Sequence, residues 1–343
     1  MLVAITSPRV GSPKDFWGTL KSISAAEIGR QANRPINLAL VGSPELRSLA
    51  KIALYATPLP LPEAAAALPG PSSVHEYETT SEEAQFPRNE TAFDIVIDVG
   101  GGRVNAPDGI RIYAVDELGG WEAALDRILE DRPDLSLALA RSFPIFRRRV
   151  AQSIIAVTAT VNAQFSLITG ITAAFPLLGV LLPVNGLSDI LMLTKNQVMM
   201  TLRLAAAYGL DVEYKSRMKE VAPLLINAFG WRAIARELVG AIPGVGFLAR
   251  ATISYAGTVT VGKTAQFYYE TGEHITREQM KRWYLEAYES SREKIRALAA
   301  MTKRSKREQR RQLAPLADAV PLAPATNELV EVVSDDENRI SLG

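Results

Sequence analysis

Cysteine is absent from all 343 residues. That excludes disulfides, a thiolate nucleophile and any zinc site built on cysteine. Histidine is nearly absent, with only His75 and His274. Neither sits in a metal-ligand or nucleophile pattern, and both read as plain surface residues. An excess of either charge is also missing: 38 Lys+Arg stand against 37 Asp+Glu, a formal net charge of +1. This balance excludes a uniformly basic nucleic-acid binder and a wholly acidic disordered chain. The first residues, MLVAITSPRVGSPKDFW, lack the basic start and sustained apolar run of a secretory signal.

What is present is ordinary in amount and uneven in placement. Hydrophobic residues make up 48% and charged residues 22%, enough for at least one large core. The length predicts about two domains. Val150–Ser188 carries no charge at all, and Leu238–Gly262 carries only Arg250. Lys303–Arg311 (KRSKREQRR) is strongly basic, whereas the stretch from Asp318 to the end is acidic.

The pattern predicts an α/β domain over 1–140, with a Pro-rich and then acidic loop at 57–92. Its expected elements are a helix near Lys14–Gln31, a strand at Ile36–Gly42 and a helix at Glu45–Tyr55. Strands follow at Phe93–Val99, Ile110–Val115 and Leu135–Ala140, with a helix at Trp121–Glu130. Alternating strands and helices indicate a small parallel sheet. An apolar all-α domain is expected over 141–276, then a long charged helix over 277–312. A disordered acidic tail is expected over 313–343.

The first strand ends Leu40-Val41-Gly42-Ser43 and runs into a helix, where a GTPase-like domain places its phosphate loop. That loop needs G-x-x-x-x-G-K-[ST], because backbone N–H groups and a lysine must neutralise phosphate. Here the second glycine is replaced by Arg47, the lysine by Ser48 and the hydroxyl residue by Leu49. Downstream, Asp98-Val-Gly-Gly101 resembles the D-x-x-G segment of small GTPases, although an Asp and glycines after a strand also form ordinary turns. No guanine-reading N-K-x-D follows. The functional reading is therefore a degenerate, inactive GTPase-like domain. A second stretch, Gly257-Thr-Val-Thr-Val-Gly262-Lys263-Thr264, satisfies the phosphate-loop expression letter for letter. Its context is helical, and small residues at Gly257, Thr258, Thr260 and Gly262 equally suit close helix packing. As a nucleotide site it would put Lys263 on the phosphates and Thr264 on Mg²⁺.

The helical half has an ordered set of soft motifs. These are Arg141-Ser-Phe-Pro144-Ile-Phe-Arg147, Pro183-Val-Asn-Gly-Leu-Ser-Asp189, Gln197 with Met199-Met200, Ala207-Tyr208-Gly209, Ile242-Pro-Gly-Val-Gly246, Thr258-Val-Thr-Val-Gly262 and Phe267-Tyr-Tyr269. In this order, over roughly 141–272, the chain resembles a family of uncharacterised domains. They occur at the C-terminus of Era-like GTPases and in YcjF-like bacterial inner-membrane proteins. The resemblance implies membrane association and a frequent link to a GTPase domain, and supplies no catalytic chemistry.

The residues argue for a membrane independently. A span needs about 20 mainly apolar residues. Ile154–Pro183 is long enough, and Arg147-Arg-Arg149 stands before it as a positive-inside flank. Gln152, Asn162 and Gln164 fall within the run, and a helix apolar on all faces can also be a soluble core. Three functions follow. The favoured one is a non-catalytic, membrane-associated scaffold or regulator with an inactive GTPase-like domain. Its expected partners are membrane lipids and a protein, such as a GTPase, at the bacterial cytoplasmic membrane with the N-terminal domain cytoplasmic. The second is a P-loop NTPase using Gly257–Thr264 and GTP, a cofactor the sequence disfavours. The third is a soluble cytoplasmic helical scaffold that holds nucleic acid, itself a disfavoured partner, through Lys303–Arg311. The basic run also reads simply as a solvated helix end.

Overall fold

The computed structural model describes residues 25–56, 72–78, 84–85, 93–100, 104–105, 111–115, 120–173, 186–212 and 247–317. The expected helix start at 14–24, most of the 57–92 loop, the turn at 242–246 and the tail beyond 317 lie outside these residues.

The run Asn37–Gly42 has no charged residue, so either face can be buried. It forms β1, the inner strand of the sheet. β2 (Ser73–Glu78) and β4 (Ile95–Asp98) pair with its two edges, and β6 (Ile112–Ala114) pairs with β4. The order is β2-β1-β4-β6 and every pairing is parallel. Two short strands, β3 (Ala84–Gln85) and β5 (Val104–Asn105), make a separate parallel ladder. Side chains alternate across the central strands. Leu38, Leu40, Ile95 and Ile97 enter the main core. Ala39, Val41 and Val96 face a smaller cluster with Phe93, Tyr77 and Ile112. Burial on both faces explains why β1 reads as a continuous apolar run.

The helices flanking the sheet are α1 (Ala25–Ala32), α2 (Pro44–Tyr55) and α3 (Trp121–Asp131). Two sequence expectations are corrected here. Leu135–Ala140 is not a strand: a 3-10 turn at Pro133–Leu135 leads into α4 (Ser136–Ser142). Short apolar runs fit strand or buried helix equally by periodicity. Here Leu137, Ala138, Leu139 and Ala140 are all buried, so the helix is enclosed on every side. Conversely, Ser73–Glu78 is not linker but the edge strand β2. Its polar sequence suits an edge, where one side has no neighbour to bury it.

The helical half comprises α5 (Arg147–Ala173), α6 (Gly186–Ala207), α7 (Phe247–Thr271) and α8 (Arg277–Ala317). Its helices follow the expected region, and α8 runs a few residues past the expected end at 312. Ile155 of α5 meets Gly262, whereas Asn162 meets Ser254 and Thr258, so α5 and α7 are antiparallel. Gln197 reaches Thr258 and Thr201 reaches Tyr269, so α6 runs with α7. The main core is continuous from the sheet through Phe143 and Phe146 to Leu204, Val261 and Tyr269. It crosses position 140 without a break. The chain divides into compact units at Met1–Arg296 and Ala297–Gly343.

Candidate functional site

In a parallel sheet the crevice beyond the carboxyl ends of the inner strands is the usual ligand position. Here it holds Gly42, Ser43, Asp98 and Gly100. Gly42 has φ 151°, a conformation that disfavours side chains. Gly100 approaches it so closely that a β-carbon there would lie 2.8 Å from the Gly42 Cα. Asp98 is buried, and its carboxylate accepts a 2.9 Å hydrogen bond from the Gly100 N–H. The two strand ends thus pinch together.

A phosphate loop has no length here in which to form. Ser43 alone separates β1 from α2. It caps the helix by accepting from the Leu46 N–H, with Pro44 in the first turn. Arg47, Ser48 and Leu49 are already helical. Ser48 donates to the Pro44 carbonyl at 2.8 Å, and Leu49 is exposed.

Gly257, Gly262, Lys263 and Thr264 all lie inside α7. That placement favours the packing reading of the motif: in a helix interior the backbone N–H groups are taken by carbonyls four residues earlier. The hydroxyls of Thr258, Thr260 and Thr264 donate back to Ser254, Ala256 and Thr260, each at 2.8 Å. Gly257, Thr258 and Thr264 are buried. Lys263 points the other way, its Nζ 4.0 Å from Glu286 and 5.9 Å above the Trp283 ring.

What these residues build is a helix junction. Asn162 Nδ2 donates to Thr258 at 2.9 Å, and Asn196 Nδ2 donates to the Asn162 side-chain oxygen at 2.7 Å. Gln197 Nε2 also donates to Thr258, and Ser254 donates to the Asn162 carbonyl. One polar node therefore ties α5, α6 and α7 together. Asn162 was visible as an anomaly in an apolar run. Asn196 gives no such signal, because it stands beside Lys195 in an ordinary polar stretch.

α7 is clasped on two opposite faces. Ser254, Thr258 and Gly262, four residues apart, face α5 and α6. Ala256, Val259 and Lys263 face α8, where Met280, Tyr284 and Ala287 form a cluster with Ala256. Contact on these two faces, with Arg250 and Lys263 left toward solvent, explains why α7 is mostly apolar without an amphipathic stripe.

The base of the bundle is polar and densely hydrogen-bonded. Tyr208 donates to Glu270 at 2.5 Å, Gln266 donates to the same carboxylate, and Arg147 lies over the Tyr208 ring. Burial and the adjacent Glu270 push the Tyr208 phenol well above its ordinary value. Arg141 donates to the Leu210 carbonyl, and Arg147 to that of Ala140. Arg149 pairs with Asp126 and Glu122 of α3. Arg147 and Arg149, read from sequence as a lipid flank, hold the sheet-bearing half to the helices.

The outer faces of the α5–α6 hairpin are different. Val157 (58% exposed), Val161 (45%) and Ile168 recur at helical spacing on α5, with Gln164 among them. The stretch Pro144–Ile168 is long and apolar enough to cross a membrane. On α6, Met192 (43% exposed), Lys195, Met199 and Arg203 share one face. His75 lies on the edge strand against Phe93, and His274 stacks on Tyr268. Among the described residues no group of three His, Cys, Asp or Glu could hold a metal ion. No family model, curated protein or solved structure matches this chain.

Proposed function

We propose that the protein is a non-catalytic, membrane-associated scaffold. The observation that carries this reading is α5. It is a 27-residue helix, charge-free from Val150 onward, whose outer face presents Val157 and Val161. Exposed apolar residues in a row at helical spacing mark an interaction surface.

The sheet-bearing half acts in this reading as a degenerate GTPase-like head that binds a protein partner. Its parallel sheet, the Gly42–Ser43 turn into α2 and the Asp98-Val-Gly-Gly segment support the GTPase-like description. The pinched crevice and the capped α2 argue that it does not hold a nucleotide.

Fractionation of cells expressing the full chain tests the proposal. The protein is expected in the membrane fraction, and purified protein is expected to turn over neither GTP nor ATP. Recovery in the soluble fraction, or turnover of either nucleotide, contradicts it.

A further inference from the structure

The membrane reading leaves open how the helices meet the bilayer, and the packing of α8 answers this. Tyr284 and Ala287 of α8 cluster with Ala256 of α7, and Lys294 reaches Tyr255. The same stretch of α7 pairs through Thr258 with the middle of α5. α8 is studded there with exposed Lys281, Arg282, Glu286, Glu289, Arg292 and Glu293. A bilayer crossed by α5 along its length would take these charges into hydrocarbon, where each one is strongly disfavoured.

Resting on the membrane reading, we infer that the α5–α6 hairpin lies face-on against an anionic lipid surface, with α8 turned toward water. The apolar part of the face is Val157, Val161 and Met192. Its described cations are Lys195 and Arg203 of α6. Met192, Lys195 and Arg203 fall at spacings of three and eight, so α6 presents a thioether and two cations on one side. Apolar side chains with interspersed basic residues are what an interfacial helix needs. The face also continues in sequence into the charge-free run that ends at Ser188. The cations select the lipid: each basic residue near an anionic surface raises affinity about fivefold.

Vesicle co-sedimentation of the full chain tests this. One set of vesicles is pure phosphatidylcholine. The other contains about a third phosphatidylglycerol. The wild type is expected on the anionic vesicles and to leave them in high salt. Lys195→Gln and Arg203→Gln combined are expected to lower the affinity about 25-fold. Val157→Ser with Val161→Ser is expected to lower it further. These positions are exposed or half-exposed, so a circular dichroism spectrum matching wild type identifies a folded variant. Equal binding to both vesicle types, or retention in high salt, overturns the face-on anionic docking and leaves the membrane reading standing. Absence from every vesicle, with native circular dichroism, overturns both.

Discussion

Gly262 of α7 and Ile155 of α5 touch so closely that a β-carbon on Gly262 would lie 2.5 Å from the Ile155 Cγ1. The glycine that completes a phosphate-loop expression is thus the residue that lets two helices meet. Gly262→Ala must displace a branched side chain in a packed core. It is expected to cost about 1–3 kcal/mol, read as a lowered urea midpoint with an unchanged slope. Full wild-type stability in Gly262→Ala would contradict the close approach.

Lys263 separates the two readings of the same motif. Its ammonium is partly exposed and holds Glu286 only loosely. Lys263→Ala is expected to change stability by under about 1 kcal/mol and to leave nucleotide titrations of wild type and variant equally flat. GTP or ATP binding by wild type that Lys263→Ala abolishes would restore the nucleotide reading.

The Asn162 side chain serves Thr258 and Asn196 at once. Asn162→Ala leaves the Asn196 amide without its acceptor and removes one of the two donors to the Thr258 hydroxyl. A loss of about 2–4 kcal/mol is expected, larger than that of Gln164→Ala on the exposed side of the same helix. Equal small losses at the two positions would show that the node contributes no stability.

Alkaline pH tests the base of the bundle. Burial, with Glu270 beside it, raises the Tyr208 phenol, and burial also raises that of Tyr284. A raised folded pKa contributes stability fully below the unfolded value, about 10 for tyrosine. Above it the unfolded chain releases protons that the folded chain retains, so stability falls as pH rises. Thermal midpoints are expected to drop above about pH 10, and less steeply in Tyr208→Phe than in wild type. Parallel pH curves for the two proteins would contradict the buried phenol.

Much of the sheet was legible because its residues are buried on both faces. Asn37–Gly42 and Ile95–Asp98 are the short apolar runs that an inner parallel strand requires. Leu135–Ala140 looks the same in sequence, and only its enclosure after the Pro133 turn makes it helix. Ser73–Glu78 escaped notice for the opposite reason: an edge strand needs little hydrophobicity, and its pairing with β1 is set from a distance. At the site, the broken loop at Arg47–Leu49 was plain from residue types. The roles of Asn196 and Gln197 depend on which helices become neighbours, which periodicity alone does not specify. The pairing of Arg149 was hidden for a similar reason, since its partners Glu122 and Asp126 lie on another element.

The absence of cysteine makes the central claim directly measurable, because any introduced thiol is unique. Val157→Cys on α5 and Glu289→Cys on α8 would each carry one environment-sensitive fluorophore. On addition of anionic vesicles, the probe at 157 is expected to shift to the blue and to become shielded from an aqueous quencher. The probe at 289 should stay fully quenchable. An unshifted, quenchable probe at 157 in the presence of vesicles would contradict membrane association through this face.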